Sequence, residues 1–161
     1  MTQPINAPAI REFLVGHLAE VFSTMLALPA LPVAEPLPSS PQECLSGLVG
    51  FAGKSVTGAV YLHVPAPFAR RITCAMLGMP AEEVPGDADV NDVTGEVTNM
   101  LAGGLKSWLC DAGAACALTT PAIIRGSSFR ILASEGVSQI QFPFASDGHR
   151  GLLEVHIKFS D

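Results

Sequence analysis

Charge is scarce in this sequence. Asp, Glu, Lys and Arg make up 15% of the 161 residues, against roughly 25% in an ordinary soluble domain. Positive charge is the rarer kind: nine Lys and Arg stand against fifteen Asp and Glu, for a net charge of −6. The bases are scattered along the chain, which excludes the basic patch that a nucleic-acid binder turns towards phosphates. Low charge combined with 48% hydrophobic residues and a mean hydropathy of +0.39 excludes intrinsic disorder, whose composition is the reverse. It also implies that part of the surface is covered by a partner or by a second copy of the chain.

Long apolar runs are missing as well. Arg11, Glu12, His17 and Glu20 interrupt the first apolar stretch, so no segment reaches the roughly 18 uncharged residues of a membrane span. The start lacks the basic and then apolar order of a secretion signal. Both point to a soluble, cytoplasmic protein with no membrane partner. The four cysteines, Cys44, Cys74, Cys110 and Cys116, form no C-x-x-C pair, and in that compartment they read as reduced thiols acting as small hydrophobes. His63, His149 and His156 lack close metal-ligand spacing, and neither a G-x-S-x-G nucleophile elbow nor a phosphate-cradling glycine loop occurs. At 161 residues the chain is expected to be one domain with its own core, spanning 1–161, and with no metal site or cofactor of its own.

Hydrophobic periodicity supplies the elements. Ile10, Phe13, Leu14, Leu18, Val21, Phe22, Met25 and Leu26 follow helical spacing and predict a helix over 8–27, stopped by Pro29 and Pro32. A proline-rich connection over 29–41 follows, with a short edge strand at 31–34. A hairpin of strands 45–52 and 55–64 turns at Gly53-Lys54. A short helix over 67–78 ends at Gly78. A long helix over 89–111, with Asp87 or Asp89 as its cap, ends at Gly113. Leu118 leads a short extended stretch up to Pro121. Strands are then expected over 129–133, 137–144 and 152–159, with Asp147-Gly148 as the last hairpin turn. Each long helix precedes a set of strands, and Glu20-Val-Phe-Ser-Thr-Met-Leu echoes Glu96-Val-Thr-Asn-Met-Leu with a one-residue offset. The fold class is therefore α+β: two related helix-plus-three-strand units, with long helices packed on largely antiparallel sheet.

The long helix at 89–111 carries two stripes. Val93, Val97, Met100, Leu101, Leu105, Trp108 and Leu109 form the apolar one. At about 100° per residue, Asp92, Glu96, Asn99 and Gly103 fall together on a second face, centred roughly 130° away. That face points towards solvent or a partner. Glu96 and Asn99 lie about 4.5 Å apart along the axis. Gly95 and Gly103 border them, each costing about 1 kcal/mol relative to alanine in mid-helix, so something comes close to the backbone there. Taken alone, such a stripe is more often a solvated helix face.

The stretch Asp92-Val-Thr-Gly95-Glu96-Val-Thr-Asn99-Met-Leu-Ala-Gly103 resembles the signature helix of the CheC/CheX/FliY family of chemotaxis phosphatases. That signature is Asp or Ser, three residues, Glu, two residues, Asn, and a proline about 22 residues on; Pro121 follows Asn99 here after 21. The order of Ser23-Thr-Met-Leu-Ala-Leu, the Gly47 to Gly58 hairpin, Thr120-Pro121-Ala-Ile-Ile-Arg-Gly126 and a final hairpin resembles the CheX branch over nearly the whole chain. The resemblance implies a CheC-like fold and a phosphatase acting on the aspartyl phosphate of the response regulator CheY or a similar receiver domain. It implies that Asn99 orients the attacking water and that Glu96 pairs with the receiver's lysine. Asp92, Gly95 and Gly103 are the expected partner-binding positions, Mg2+ is expected on the receiver, and a homodimer is expected. Glu20 is followed by Ser23 and Thr24 rather than by an Asn, so one site per chain is expected. The alternative is a non-catalytic module that binds a receiver or acts as a flagellar-switch adaptor.

Overall fold

The computed structural model describes residues 4–37, 42–127 and 131–160. Helices α1 (Ala7–Val21), α2 (Ala66–Leu77) and α3 (Asp87–Asp111) pack on one face of a seven-stranded sheet. Its strands are β1 (Leu31–Pro32), β2 (Cys44–Ala52), β3 (Val56–Pro65), β4 (Ala117–Leu118), β5 (Ala122–Gly126), β6 (Ser138–Ser146) and β7 (His149–Phe159). Every pairing is antiparallel, in the order β1-β6-β7-β3-β2, and β4 and β5 occupy separate stretches of the far edge of β2.

The pairings show two related units. β1 pairs with β6 as β5 pairs with β2, and β3 pairs with β7 between them. Exchanging β1, β2 and β3 for β5, β6 and β7 thus returns the same sheet, the pattern of an approximate two-fold. Alternation places Leu45, Val49, Val60, Leu62, Phe142, Phe144, Leu153 and Val155 on the inner face, all buried against Ile10, Leu14, Leu18, Phe68, Leu101 and Leu105 of the helices.

Several expectations are corrected. The first helix is α-helical only to Val21; Phe22–Leu26 is a π turn closed by Ala27 at φ 52°. The Ser23 and Thr24 hydroxyls donate to the Glu20 carbonyl there, and the wider turn leaves Met25 exposed instead of in the apolar stripe. The cap of α3 is Gly86, with no side-chain bond; Asp87 and Asp89 lie inside the first turn, where the helix dipole favours acids. β5 is a strand that the pattern did not announce. Ile131, Leu132 and Ala133 are not in a strand, and residues 129 and 130 of that expected strand lie outside the described residues. The hairpins at 44–65 and 138–159 form, the second through Asp147 and Gly148 at φ 50° and 78°.

α3 meets β2 at unusually short range. Thr94 and Thr98 are buried, their hydroxyls donating back to the Val90 and Thr94 carbonyls at 2.7 Å. Opposite them β2 has Gly47, where a Cβ would overlap Thr98 Oγ1 and lie 2.9 Å from its Cβ. A methyl group in that seat forces the helix outward. Gly47→Ala is expected to lower stability by about 1–3 kcal/mol, read as a lower urea midpoint at unchanged slope; an unchanged midpoint would show that the seat is looser than described.

Candidate functional site

α3 is divided by its packing into a held side and an open one. Val93, Val97, Leu101, Leu105 and Leu109 are buried. Asp92 and Glu96 are exposed, and Asn99 and Gly103 are half-buried. Within the described residues, the side chains of Asp92, Glu96 and Asn99 have no hydrogen-bond or ion-pair partner. An acid and an amide one turn apart thus face outward with their hydrogen-bonding capacity unspent: two carboxylate acceptors, and a carbonyl and an NH2 on the amide.

The open face has two walls. On one side β5 lies along the helix. Gly95 is buried, and a Cβ there would meet Pro121 Cβ at 3.4 Å and Ile123 Cδ1 at 3.8 Å. A methyl group there would sit in ordinary van der Waals contact with β5, so this packing does not by itself require glycine at 95. Arg125 of β5 reinforces the contact: Nε donates to Asn91 Oδ1 at 2.8 Å and Nη1 to Glu43 Oε1 at 2.7 Å. On the other side α1 presents His17, whose Nε2 lies 3.1 Å from the Met100 carbonyl oxygen. Gly103 differs from Gly95 in this respect: beyond its own helix, a methyl group there would meet none of the described residues within 4 Å.

A family model described as "Chemotaxis phosphatase CheX" matches residues 45–145. No curated protein matches the chain. Among solved structures, the chemotaxis protein CheX of Vibrio vulnificus is 28% identical at a TM-score of 0.77, covering 96% of this chain and 100% of that one. A CheC-like superfamily protein of Shewanella sp. PV-4 is 26% identical at 0.78, covering 96% and 99%. The CheX–CheY–BeF3–Mg2+ complex of Borrelia burgdorferi matches at 21% identity and a TM-score of 0.74, covering 96% and 99%; that likeness shows the fold.

A second polar cluster lies on the outer face of the sheet, away from the helices. Ser46 Oγ and His63 Nδ1 are 2.6 Å apart, and His63 Nε2 and Glu154 Oε1 are 2.9 Å apart. The other carboxylate oxygen takes His156 Nε2 at 2.9 Å and the Gln139 amide. All but Gln139 are buried. Ionised Glu154 can only accept, so each histidine donates through Nε2, and the other ring nitrogen of His63 shares a hydrogen bond with the Ser46 hydroxyl. Sequence reading passed over Glu154, which looks like any acid on the polar side of a strand. The Glu154-x-His156 spacing on one strand face was the available signal. Among the described residues no group of three or more His, Cys, Asp and Glu side chains is arranged to hold a metal ion.

Burial opposes the ionisation of Glu154, but the hydrogen bonds from His63, His156 and Gln139 outweigh it and hold the carboxyl at about 2, below the usual 4.5. A carboxyl lowered on folding stabilises the fold above its unfolded value, and that contribution is lost as pH falls through the folded one. Between pH 4.5 and about 2 the chain is expected to lose up to about 3 kcal/mol on this account. Denaturant titrations at stepped pH check this, with Glu154→Gln expected to flatten the acid limb; an acid limb equally steep in Glu154→Gln contradicts it.

Proposed function

The chain belongs to the CheX family of chemotaxis phosphatases, and on that premise we propose that it hydrolyses the aspartyl phosphate of a CheY-like receiver domain with the open face of α3. The observation that carries this reading is the pair Glu96 and Asn99: outward, a turn apart and without partners among the described residues, on a helix whose opposite face is buried. The Borrelia complex, which joins CheX, CheY, BeF3 and Mg2+, supports a receiver as the partner here.

An aspartyl phosphate is an activated acyl phosphate, so its hydrolysis needs little covalent help. Water oxygen bonds to phosphorus, the bond from phosphorus to the carboxylate oxygen breaks, and inorganic phosphate and a free carboxylate result. Positioning and charge stabilisation supply most of the rate. Asn99 is too weak a base to take a proton. Its side-chain carbonyl accepts from the attacking water and its NH2 donates to it or to a phosphoryl oxygen, holding the water in line. Glu96 accepts from the receiver's lysine ammonium and fixes the docking register. Mg2+ comes with the receiver, and this chain supplies no metal or cofactor. Asp92, a turn before Glu96, and Gly103, a turn after Asn99, bound the contact; the empty space at Gly103 admits the receiver's backbone. Gly95 acts indirectly, by seating Pro121 as the wall of the site. The reading places the protein in the cytoplasm; among the described residues no helix is long and apolar enough to cross a membrane.

The test is phosphate release from a pre-phosphorylated receiver, above the receiver's own rate. Asn99→Ala is expected to lower turnover by about 100-fold or more with little change in binding. Asn99→Asp is expected to fall as well, because it trades the donor for a negative charge facing phosphate. Glu96→Ala is expected to cost about 1.5–3 kcal/mol in kcat/KM, about 10- to 100-fold, while remaining folded. Near-full turnover in Asn99→Ala, or wild type that binds phosphorylated receiver without speeding its hydrolysis, overturns the catalytic reading in favour of a binding module.

The reading includes a homodimer. Its support is the low charge content together with exposed apolar side chains on both outer strands, Leu31 on β1 and Ile124 on β5. Light scattering at micromolar concentration is expected to give twice 16.8 kDa; the single-chain mass alone counts against it.

A further inference from the structure

Gly103 and Gly104 are adjacent in sequence and opposite in circumstance. Gly103 opens onto empty space, whereas a Cβ at Gly104 would overlap the imidazole of His17. Glycine is unfavourable in mid-helix, and this approach accounts for it at 104. Residue 104 is a notch in α3 into which α1 inserts a side chain.

What enters the notch is a hydrogen-bond donor. His17 Nε2 lies 3.1 Å from the carbonyl oxygen of Met100, and a carbonyl only accepts, so Nε2 carries the proton. The helix ladder already pairs that carbonyl with the N–H four residues on, at Gly104, so the imidazole supplies a second donor to one oxygen. The ring is fixed in turn. Phe13 stacks on it at 5.3 Å and 15°, and Trp108 of α3 stacks on Phe13 at 5.7 Å and 24°. The pinned carbonyl belongs to the residue after Asn99. On the opposite flank Pro121 and Ile123 of β5 lie beside Gly95. The imidazole in the notch thus bears on α3 at the turn that carries the amide.

We infer that His17 is a positioning residue for the proposed hydrolysis: its Nε2–H, seated in the Gly104 notch, fixes the rotation and height of α3 so that Asn99 meets the in-line water. This rests on the reading of the site given above. Displacements near 1 Å at a positioning group are felt in rate. They act on the transition state more than on docking, which Glu96 and the receiver's own groups govern.

The experiment measures kcat and KM for phosphate release with four variants of the full chain, at a temperature where melting curves show each folded. His17→Ala is expected to lower kcat about three- to tenfold, the equivalent of one neutral hydrogen bond, with KM within about twofold. His17→Gln, whose amide nitrogen takes the place of Nε2, is expected to recover most of it. Gly104→Ala is expected to match His17→Ala, because the methyl group evicts the ring. The double variant His17→Ala with Gly104→Ala is expected to be no worse than either alone. An unchanged kcat in His17→Ala or Gly104→Ala, even with a lower melting temperature, overturns the inference. So does a double variant that loses the product of the two effects. Should His17→Ala fail to fold, Gly104→Ala against His17→Gln decides: equal kcat values overturn it. Failure of the unsubstituted chain to release phosphate is a different result, which removes the reading of the site and this inference with it.

Discussion

The contact between α3 and β2 governs the rest of the molecule. A helix normally stands off a sheet by the depth of the side chains that fill the gap between them. Here Gly47 contributes no side chain, and Thr98, its hydroxyl turned back onto the Thr94 carbonyl, drops into the vacancy. The helix is drawn down at one point and its rotation is set there. With Thr94 and Thr98 facing the strand, the 3.6-residue period leaves Val93, Val97 and Leu101 inside and sends Asp92, Glu96 and Asn99 outward. The outward face thus follows from how the inward face is seated.

The approximate two-fold of the sheet makes the asymmetry of the helices informative. The first unit has the same plan, yet its helix opens into a π turn at Phe22–Leu26, where the second continues as regular helix through Asn99. Ser23 and Thr24 donate their hydroxyls to the Glu20 carbonyl. The hydroxyls that stand where α3 has its amide are therefore engaged within their own turn. In α3 the acid and the amide have no such engagement among the described residues. Two copies of one architecture have diverged at the same turn, one closing its polar groups on the backbone and the other leaving them outward.

What the sequence made legible was what depends on local period. The long helices, the two hairpins and the polar stripe of α3 are written in spacings of two or of three and four residues, and burial follows them. What it hid depends on distant partners. β5 follows a proline and reads Ala-Ile-Ile-Arg, without alternation, and as an edge strand it has no fully buried residue to mark its inner face. Glu154 lies 91 positions from His63, and no local pattern marks it as buried. The glycines were the hardest. Gly95, Gly103 and Gly104 look alike as letters, but the first lies in ordinary packing beside Pro121, the second faces open space and the third admits His17. The expected aspartate cap failed for a related reason: Gly86 takes the extended cap conformation with no side-chain bond, and the acids contribute through the helix dipole instead.

These fixings bear on how few groups the chain brings to the proposed chemistry. When a protein supplies a nucleophile or a metal, modest misplacement can be offset by the strength of the group. An amide that only holds water has no such reserve, since its effect lies in direction and distance, and a side chain free to wander would lose its contribution to entropy. The turn of α3 that carries Asn99 is held from three sides, by Gly47 against Thr98, by Pro121 and Ile123 against Gly95, and by His17 in the notch of Gly104. Two of these seats, at Gly47 and Gly104, rely on a glycine that is unfavourable for local stability in helix or strand. Local instability is accepted twice around one turn, and each time a close tertiary fit stands in its place. That is the pattern of a segment whose position matters more than its propensity. Gly103 has no such fit among the described residues beyond its own helix, and in the proposed function it is the receiver that comes close there.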